Sequence, residues 1–432
     1  MRTSGFPLVP LRELLTERKE PVRVTGCLGD WQPITIKFSG DVLPRDRAEA
    51  FKGAMFAAYP GDVVFSKIDA RNGAVGLIPA TMPKVVLTPE YPVMVPDLAK
   101  LRPAYLHYLL RAEHFRHDLQ RQASGTSGRK RVTPEAFLSL TVPLPTLDEQ
   151  DALVTAYEAA LTQAADNEAE AALIAQASQR AFEEALGVAP PPPLPDRPVF
   201  IARFKDVERW SHEGVLRAIA QPEHAKAKWP LMALGDLIAD LENGWSPQCL
   251  DHPAAPERWG VLKVGAVSFG YFNEQENKEL PAKLPPRPRY EVKVGDVIIS
   301  RANVTRYVGA CGYVEATRPK LMLCDKLFRV VFKEHGQLDG RFLAAVMKLP
   351  TVREQIETRL TGTSPTMKNI SKPALLDLRF PVPDLPTQRT LMDSMAQSAK
   401  ASNASLLEAS ELRRAAWATF ESALFEPHEK AS

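Results

Sequence analysis

The sequence predicts an α+β protein built by internal duplication, with two mixed α/β bodies and two long helices. Residues 147–186 contain no Gly or Pro and are rich in Ala, Glu and Gln, which favour helix. A second Ala-rich stretch begins 238 positions later and matches the first at both ends. Because composition alone would not align both ends at one offset, the match indicates a duplication.

The first long stretch has a heptad seam, along which one helix can pack against another. A continuous helix of this length would extend roughly 60 Å at about 1.5 Å per residue, which is too long for the core of one small domain. Asn167 is expected to set the register of the helix pair. The seam positions are Leu153, Tyr157, Ala160, Ala164, Asn167, Ala171, Ile174, Ser178, Ala181 and Ala185.

The offset of 238 positions relates several features of the two halves. Val142-Pro143-Leu144-Pro145 corresponds to Phe380-Pro381-Val382-Pro383, and Gln150 corresponds to Gln388. The closing segment 182–186 corresponds to 420–424. The register therefore holds without a gap from the Pro-x-Pro entry to the end of each helix.

Each body is expected to contain a β-hairpin that follows a Gly-Asp turn. In the first body, Gly61-Asp62 precedes a buried strand, and the hairpin tip presents Lys67, Arg71 and Asn72. Gly295-Asp296 begins the matching hairpin in the second body. A single late amphipathic helix is also predicted in each body, over residues 103–122 and 342–360.

The predicted organisation has five parts. The two bodies share little identity between the Gly-Asp strands and the late helices, as expected if similar folds bind different targets. Residues 199–229, within the connector, have no counterpart in the first half. The parts are a first body at 1–146, a central long helix at 147–187, a Pro-rich connector at 188–229, a second body at 230–385 and a C-terminal long helix at 386–425.

Charge is distributed unevenly along a chain of net charge +2. Residues 1–146 contain 20 Lys and Arg against 14 Asp and Glu, and residues 230–385 contain 21 against 18. Residues 147–186 contain 1 against 9. Two mildly basic bodies and an acidic helix suit a polyanion partner held at two points.

The remaining composition favours a cytoplasmic protein. No apolar run is long enough to span a bilayer, and no signal peptide is recognisable. The cysteines form no Cys-x-x-Cys pair and lie near no His cluster, so they are expected in the core and not as metal ligands or disulfides. They are Cys27, Cys249, Cys311 and Cys324.

Taken together, these features resemble the specificity (S) subunit of type I restriction-modification enzymes. The segments that carry the resemblance are 61–76, 295–312, 124–150 and 361–388. No single motif is specific, but the duplicated order of body and helix covers nearly the whole chain. The family places two target-recognition domains on two long antiparallel coiled-coil helices.

The resemblance implies a non-catalytic DNA-recognition subunit for phage defence. Each domain would read one half of a bipartite target in double-stranded DNA. The helices would dock methyltransferase (M) subunits, two of them in the family pattern, and restriction (R) subunits could join. S-adenosylmethionine, and ATP with Mg, are then expected in the partner subunits and not in this chain.

The candidate DNA-binding residues follow the buried strands and the Gly-Thr-Ser loops. Arg can bond guanine and Asn can bond adenine in the major groove, whereas the basic loops suit phosphate contacts. The alternative is that these are solvated residues of hairpins and polar turns. The candidates are Lys67, Arg71, Asn72, Thr126, Ser127, Arg129, Lys130, Arg131, Arg301, Asn303, Arg306, Thr363, Ser364, Lys368 and Asn369.

Two rival functions use the same scaffold. One is a DNA-recognition subunit of another phage-defence or modification system, and the other is a protein scaffold that binds no DNA. An enzyme is disfavoured because the sequence has no Walker loop, no Gly-x-Gly-x-x-Gly loop after a strand and no Asn-Pro-Pro-aromatic motif. The pattern of residues thus favours recognition over catalysis.

Overall fold

The computed structural model describes residues 4–23, 28–46, 53–122, 131–188, 215, 228–362 and 367–425. The chain divides into two compact units. The first unit comprises Met1–Ala169 with Ser405–Ser432, and the second comprises Glu170–Ala404. Each long helix therefore contributes one half to each unit.

The first unit contains two four-stranded sheets and a two-stranded ribbon. The sheets have the orders β2-β9-β6-β7 and β4-β3-β8-β5, and the ribbon pairs β1 with β10. The strands are β1 Leu8–Pro10, β2 Leu15–Arg18, β3 Gln32–Ile36, β4 Val42–Pro44, β5 Phe56–Ala58, β6 Val63–Phe65, β7 Val75–Leu77, β8 Val85–Leu87, β9 Val93–Pro96 and β10 Thr141–Pro143. The short helices are α1 Pro103–Leu109, α2 Glu113–Gln122 and α3 Pro134–Leu138.

The second unit repeats this plan with a shorter second sheet. Its sheets have the orders β12-β19-β15-β17 and β14-β13-β18, and its ribbons are β11-β21 and β16-β20. The strands are β11 Leu231–Ala233, β12 Ile238–Asn243, β13 Gly260–Leu262, β14 Asn277–Glu279, β15 Val297–Ser300, β16 Ala302–Asn303, β17 Cys311–Tyr313, β18 Leu321–Met322, β19 Leu327–Phe332, β20 Lys368–Asn369 and β21 Arg379–Pro381. The short helices are α5 Leu234–Leu237, α6 Gly340–Val346, α7 Pro350–Thr358 and α8 Lys372–Leu376.

The duplication extends to the pairing of individual strands. The first sheet of each unit is antiparallel throughout and has the same strand order. In the second sheet, β3 pairs parallel to β8, and β13 pairs parallel to β18. Because parallel neighbours need a crossover connection, two independent folds would rarely share this combination.

The two Gly-Asp turns have the same geometry. Gly61 and Gly295 adopt φ values of +86° and +95°, a region that favours glycine. The carboxylate of Asp62 accepts the Tyr59 N–H at 2.9 Å, and the carboxylate of Asp296 accepts the Lys293 N–H at 2.9 Å. Each turn therefore delivers its chain into a fully buried strand.

The long helices are α4, Leu147–Leu186, and α9, Leu385–Phe425. They run antiparallel within each unit. In the first unit Tyr157 meets Phe420 at 5.7 Å between ring centroids, and Glu168 forms an ion pair with Arg413. In the second unit the buried Ser402 hydroxyl donates to the Ala171 carbonyl at 2.9 Å.

The predicted seam is correct over most of α4 but shifts near its end. Ala164, Asn167 and Ala171 are buried as expected, whereas Ala181 is exposed and Phe182 is buried instead. An α-helix drifts against a strict heptad because 3.6 residues make one turn. Phe182 also packs edge-on against Phe342 of α6, at 6.0 Å, which favours the shifted position.

The single late helix predicted in each body is wrong in both. Within 103–122 the chain forms α1 and α2, separated at 110–112, and within 342–360 it forms parts of α6 and α7, separated at 347–349. At the first break, between α1 and α2, Leu110 and Ala112 are buried, so packing in the core stabilises an interrupted helix there. At the second break Pro350 is the first residue of α7, a position that suits proline because its missing N–H needs no partner there.

A buried glutamine attaches the start of each long helix to its body. Gln150 Oε1 accepts the Arg102 N–H at 2.8 Å, and its Nε2 donates to the Lys100 and Pro145 carbonyls. Gln388 makes the same three bonds in the second unit, to the Asp339 N–H and the carbonyls of Gln337 and Pro383. Both side chains are fully buried.

Within the described part of the chain, no helix is both long enough and apolar enough to cross a membrane.

Candidate nucleic-acid interface

The first hairpin tip, residues 66–73, is fixed by its own backbone. The Ser66 hydroxyl accepts the Asp69 N–H at 3.2 Å, and the buried Ala70 begins a 3₁₀ turn. Gly73 ends this turn with φ +104°. A Cβ at Gly73 would lie 2.1 Å from the Phe38 carbonyl oxygen, so the tip lies directly against the turn at 38–40.

The three candidates at this tip differ in exposure. Asn72 is exposed, and its amide donates to Asp69 Oδ1 at 3.2 Å. Lys67 and Arg71 are partly buried. Arg71 Nε is shielded from solvent and, among the described residues, has no hydrogen-bond partner. An acceptor oxygen could reach this donor only if the Arg71 side chain moved, because solvent does not reach it in this arrangement.

The loop that follows in the first body is described only at its end. Arg131 is exposed and forms an ion pair with Glu90 at 3.3 Å. The Val132 N–H donates to the Lys67 carbonyl at 2.8 Å, which attaches this segment to the hairpin tip. The candidates Thr126, Ser127, Arg129 and Lys130 lie outside the described residues.

The second hairpin tip, residues 301–310, brings five candidates together, of which Arg306 lies in a 3₁₀ turn. The ribbon β16-β20 pairs Ala302 with Asn369 and Asn303 with Lys368. The Ile370 N–H donates to the Arg301 carbonyl at 3.0 Å, which matches the Val132–Lys67 bond of the first body. Thr363 and Ser364 lie outside the described residues.

The side chains at this second tip have distinct environments. The Arg301 guanidinium lies over the Phe328 ring at 5.7 Å, and Arg306 lies over the Tyr307 ring at 4.8 Å. Lys368 Nζ donates to the Gly362 carbonyl at 2.6 Å. Arg306 is exposed, whereas Arg301 and Lys368 are partly buried. A phosphate could compete for these exposed or partly exposed cations.

The amide nitrogen and the amide oxygen of Asn303 both form hydrogen bonds within the protein. Nδ2 donates to Ser268 Oγ at 3.1 Å, and Oδ1 accepts the Val304 N–H at 2.8 Å. The hairpin tip is thus joined to the turn at 268–272. A two-bond contact of Asn303 to adenine would require both bonds to break.

Sequence reasoning missed the aromatic residues beside each tip. Phe38 in the first body and Phe269 and Tyr271 in the second are 61%, 63% and 57% exposed. Phe269 contacts both Tyr271 and Tyr307, with ring centroids 6.2 Å and 5.7 Å apart. The available signal was an aromatic residue within a Gly-containing turn, Phe38-Ser39-Gly40 and Phe269-Gly270-Tyr271.

Two of the described cysteines, Cys311 and Cys324, are buried in the core, and Cys249 is partly buried. Burial raises the pKa of Cys311 to about 12 and that of Cys324 to about 11, so both thiols stay protonated near neutral pH. Burial also raises the pKa of Cys249. Cys27 lies outside the described residues.

Solved structures share this architecture over nearly its full length. The HsdS subunit from Thermoanaerobacter tengcongensis aligns with a TM-score of 0.52 at 17% identity, covering 98% of this chain and 97% of that one. A chain from a structure described as the structural basis of complex assembly and conformational transition of the type I R-M system aligns with a TM-score of 0.59 at 17% identity, covering 98% of each. The chain has the fold of type I specificity subunits.

A sequence relative agrees with this fold. The type I restriction enzyme EcoEI specificity subunit of Escherichia coli is 33% identical over 168 residues, which is 39% of this chain and 28% of that protein. The match therefore spans less than a third of the curated relative's length. No family model matches the chain. The resemblance to specificity subunits that the sequence predicts is confirmed, as is the α+β fold class.

Proposed function

We propose that this chain is the DNA-recognition subunit of a type I restriction-modification system, in which each body reads one half of a bipartite target. The observation that carries the proposal is the duplication within a specificity-subunit fold. Strand order, Gly-Asp turn and glutamine attachment are repeated, while the residues at the two hairpin tips differ. A repeated scaffold with different tips suits two readers of different sequences.

The hairpin tips are the proposed reading surfaces. Each presents cationic side chains beyond a buried strand, Lys67 and Arg71 in one body and Arg301 and Arg306 in the other, and the first tip adds the amide of Asn72. Rigid elements place base-reading groups more accurately than free loops do. The basic loops at 126–131 and 363–369 would position the duplex through its phosphates.

The long helices are proposed to dock methyltransferase subunits. Each has an exposed leucine on its surface, Leu173 on α4 and Leu407 on α9, at 65% and 61% exposure. Methyl transfer from S-adenosylmethionine would then belong to those subunits, and ATP-driven cleavage to a restriction subunit. The chain itself would supply recognition, in the cytoplasm where the DNA lies.

Selection from a random-sequence duplex library tests this function. The full chain, alone and with its methyltransferase, should enrich two short defined sequences separated by a spacer of fixed length and free composition. Binding should weaken steeply with salt, because phosphate contacts release counterions. Enrichment of one uninterrupted sequence, or of none, would contradict the proposal. Methylation of the selected duplex by the purified chain without the partner would contradict its non-catalytic part.

A further inference from the structure

An exposed apolar surface lies at the second hairpin tip. The proposed function does not say which group of the DNA it would contact. The Phe269 ring contacts the rings of Tyr271 and Tyr307, and Val304, three residues before Tyr307, is 37% exposed. Single exposed apolar residues are ordinary on a protein surface, but a contiguous group of large ones marks a binding site. We name these four residues the aromatic platform.

The platform is held rigidly by the core beneath it. The turn at 268–272 follows the buried residues Ala266 and Val267. A Cβ at Gly312 of β17 would lie 3.0 Å from the Tyr271 carbonyl carbon and from the Phe272 nitrogen, so strand and turn are in close contact. The Asn303–Ser268 bond then joins the turn to the hairpin tip. A rigid surface loses little entropy when it binds.

Two basic side chains lie at the platform and at the turn that carries it. Arg306 lies over Tyr307 at 4.8 Å. Lys348 lies against Gly270, where an added Cβ would be 2.8 Å from its Cε. An apolar surface flanked by cations is complementary to a DNA groove, in which apolar groups on the bases lie between two rows of phosphates.

We propose that the aromatic platform contacts the C5-methyl groups of thymines in the half-sequence that the second body reads, and that Asn303 is a positioning residue for it. This inference rests on the proposed function. Thymine methyl is the apolar group that the major groove presents, and it contacts side chains such as Phe. Because the rings pack together as one surface, contact with methyl groups is favoured over insertion of one side chain between base pairs.

The test uses the duplex selected by the full chain. Each thymine of the second half-sequence is replaced in turn by deoxyuridine, which lacks only the methyl group. At one or more positions the replacement should weaken binding by the wild-type chain about fourfold, the amount expected for one buried methyl group. The same replacement should have no effect on the Phe269→Ala and Tyr307→Ala variants.

Two further variants separate reading from folding. Val294→Ala removes an equally exposed side chain, 62%, before the other end of β15, and should keep the full deoxyuridine effect. Ser268→Ala removes the hydroxyl that accepts the bond from Asn303 Nδ2 and leaves Asn303 Oδ1 bonded to the Val304 N–H, and should reduce the effect without abolishing binding. Near-ultraviolet circular dichroism of each variant would confirm that the second body is folded.

The outcomes distinguish the two proposals. A wild-type chain that selects no bipartite sequence contradicts the proposed function and this inference with it. A bipartite sequence with no thymine in the second half, or with deoxyuridine effects that persist in the platform variants, contradicts the inference alone. Loss of methyltransferase binding in those variants, with unchanged deoxyuridine effects, would assign the platform to a protein partner and contradict the inference too.

Discussion

The two bodies share their internal hydrogen bonds and differ in the surfaces at their hairpin tips. The Leu11 N–H donates to the Leu140 carbonyl and the Leu234 N–H to the Leu378 carbonyl, both at 2.8 Å. By contrast, the first tip lies against the backbone of Phe38, and the second carries Tyr307, whose ring contacts Phe269 of the neighbouring turn. A substitution that leaves a buried hydrogen-bonding group without its partner lowers the stability of the fold. Exposed residues at the tips carry no such penalty, so their sequences can differ between the two bodies.

The carboxylate of each Gly-Asp turn is paired with an arginine, but the two arginines come from different strands of the sheet. Arg18 of the edge strand β2 holds Asp62 at 3.1 Å, whereas Arg329 of the inner strand β19 holds Asp296 at 3.4 Å. The same carboxylate is therefore paired from different strands. The two copies therefore share an arginine partner for this aspartate, but not the strand on which the arginine lies.

The largest expected difference between the bodies is in their cores. Phe137 stacks on Phe65 at 4.3 Å, and its counterpart in the second body is the fully buried Leu375. Phe137→Ala should destabilise the first body by about 4 kcal/mol, and Leu375→Ala should destabilise the second by about 3 kcal/mol. Hydrogen exchange measured by mass spectrometry would localise each loss, and a loss spread equally over both bodies would contradict independent cores.

A second expected difference depends on pH. Burial, with the nearby charge of Arg111, lowers the pKa of His107 in the first body to about 4. The unfolded chain binds this proton near pH 6.5, so the folded state loses relative stability as the pH falls from 6.5 to 4, by about 3 kcal/mol at most. His107→Gln should remove this part of the pH dependence.

Unfolding by urea at several pH values, followed by hydrogen exchange in each body, provides the measurement. The control is His252→Gln, because His252 of the second body is 62% exposed. An unchanged pH profile in His107→Gln would show that other groups cause the dependence.

The glutamine attachments should behave alike in the two bodies. Gln150→Ala and Gln388→Ala each leave a backbone N–H and two carbonyls without their partner, so each should cost about 1–3 kcal/mol. The exposed Gln176 and Gln397 on the same helices are matched controls, and their replacement by Ala should change stability by less than about 0.5 kcal/mol. A cost at only one attachment would show that the copies have diverged in their cores.

The smallest expected effects concern phosphate contacts. Arg131 and Lys368 belong to the two loops proposed to position the duplex, and their side chains are exposed and partly exposed. If each contacts one phosphate, Arg131→Gln and Lys368→Gln should each lower the slope of log K against log salt by about 0.9, equally for all sequences. A change of preferred base in place of a slope change would show that the residue reads sequence.

Much of this fold was predictable because duplication is visible in the sequence. The helix bounds and the equivalence of Gln150 with Gln388 follow from an offset of 238 positions, and the Gly-Asp hairpins from an offset of 234. The bonds from these glutamines to the bodies could not be predicted, because two of the three partners of each glutamine lie about fifty positions earlier in the chain.

The candidate site was less predictable, because its residues are brought together from distant parts of the chain. Pairing of Asn303 with Lys368 in β16-β20, and contact of Tyr307 with Phe269, depend on tertiary packing and not on local pattern. The breaks at Leu110 and before Pro350 were also missed, because amphipathic periodicity continues across them. The two hairpin tips also differ in sequence, so the duplication does not show which of their residues are equivalent.

Replacing the second body by a copy of the first tests the central claim most directly. The segment from Leu234 to Leu378 would be exchanged for Leu11 to Leu140, because the N–H and carbonyl at each junction are bonded to each other in the same way. Selection from a random duplex library should then enrich the first body's half-sequence twice and lose the second body's half-sequence. A folded chimera that still selects the second half-sequence, or that changes the first, would contradict one reader in each body.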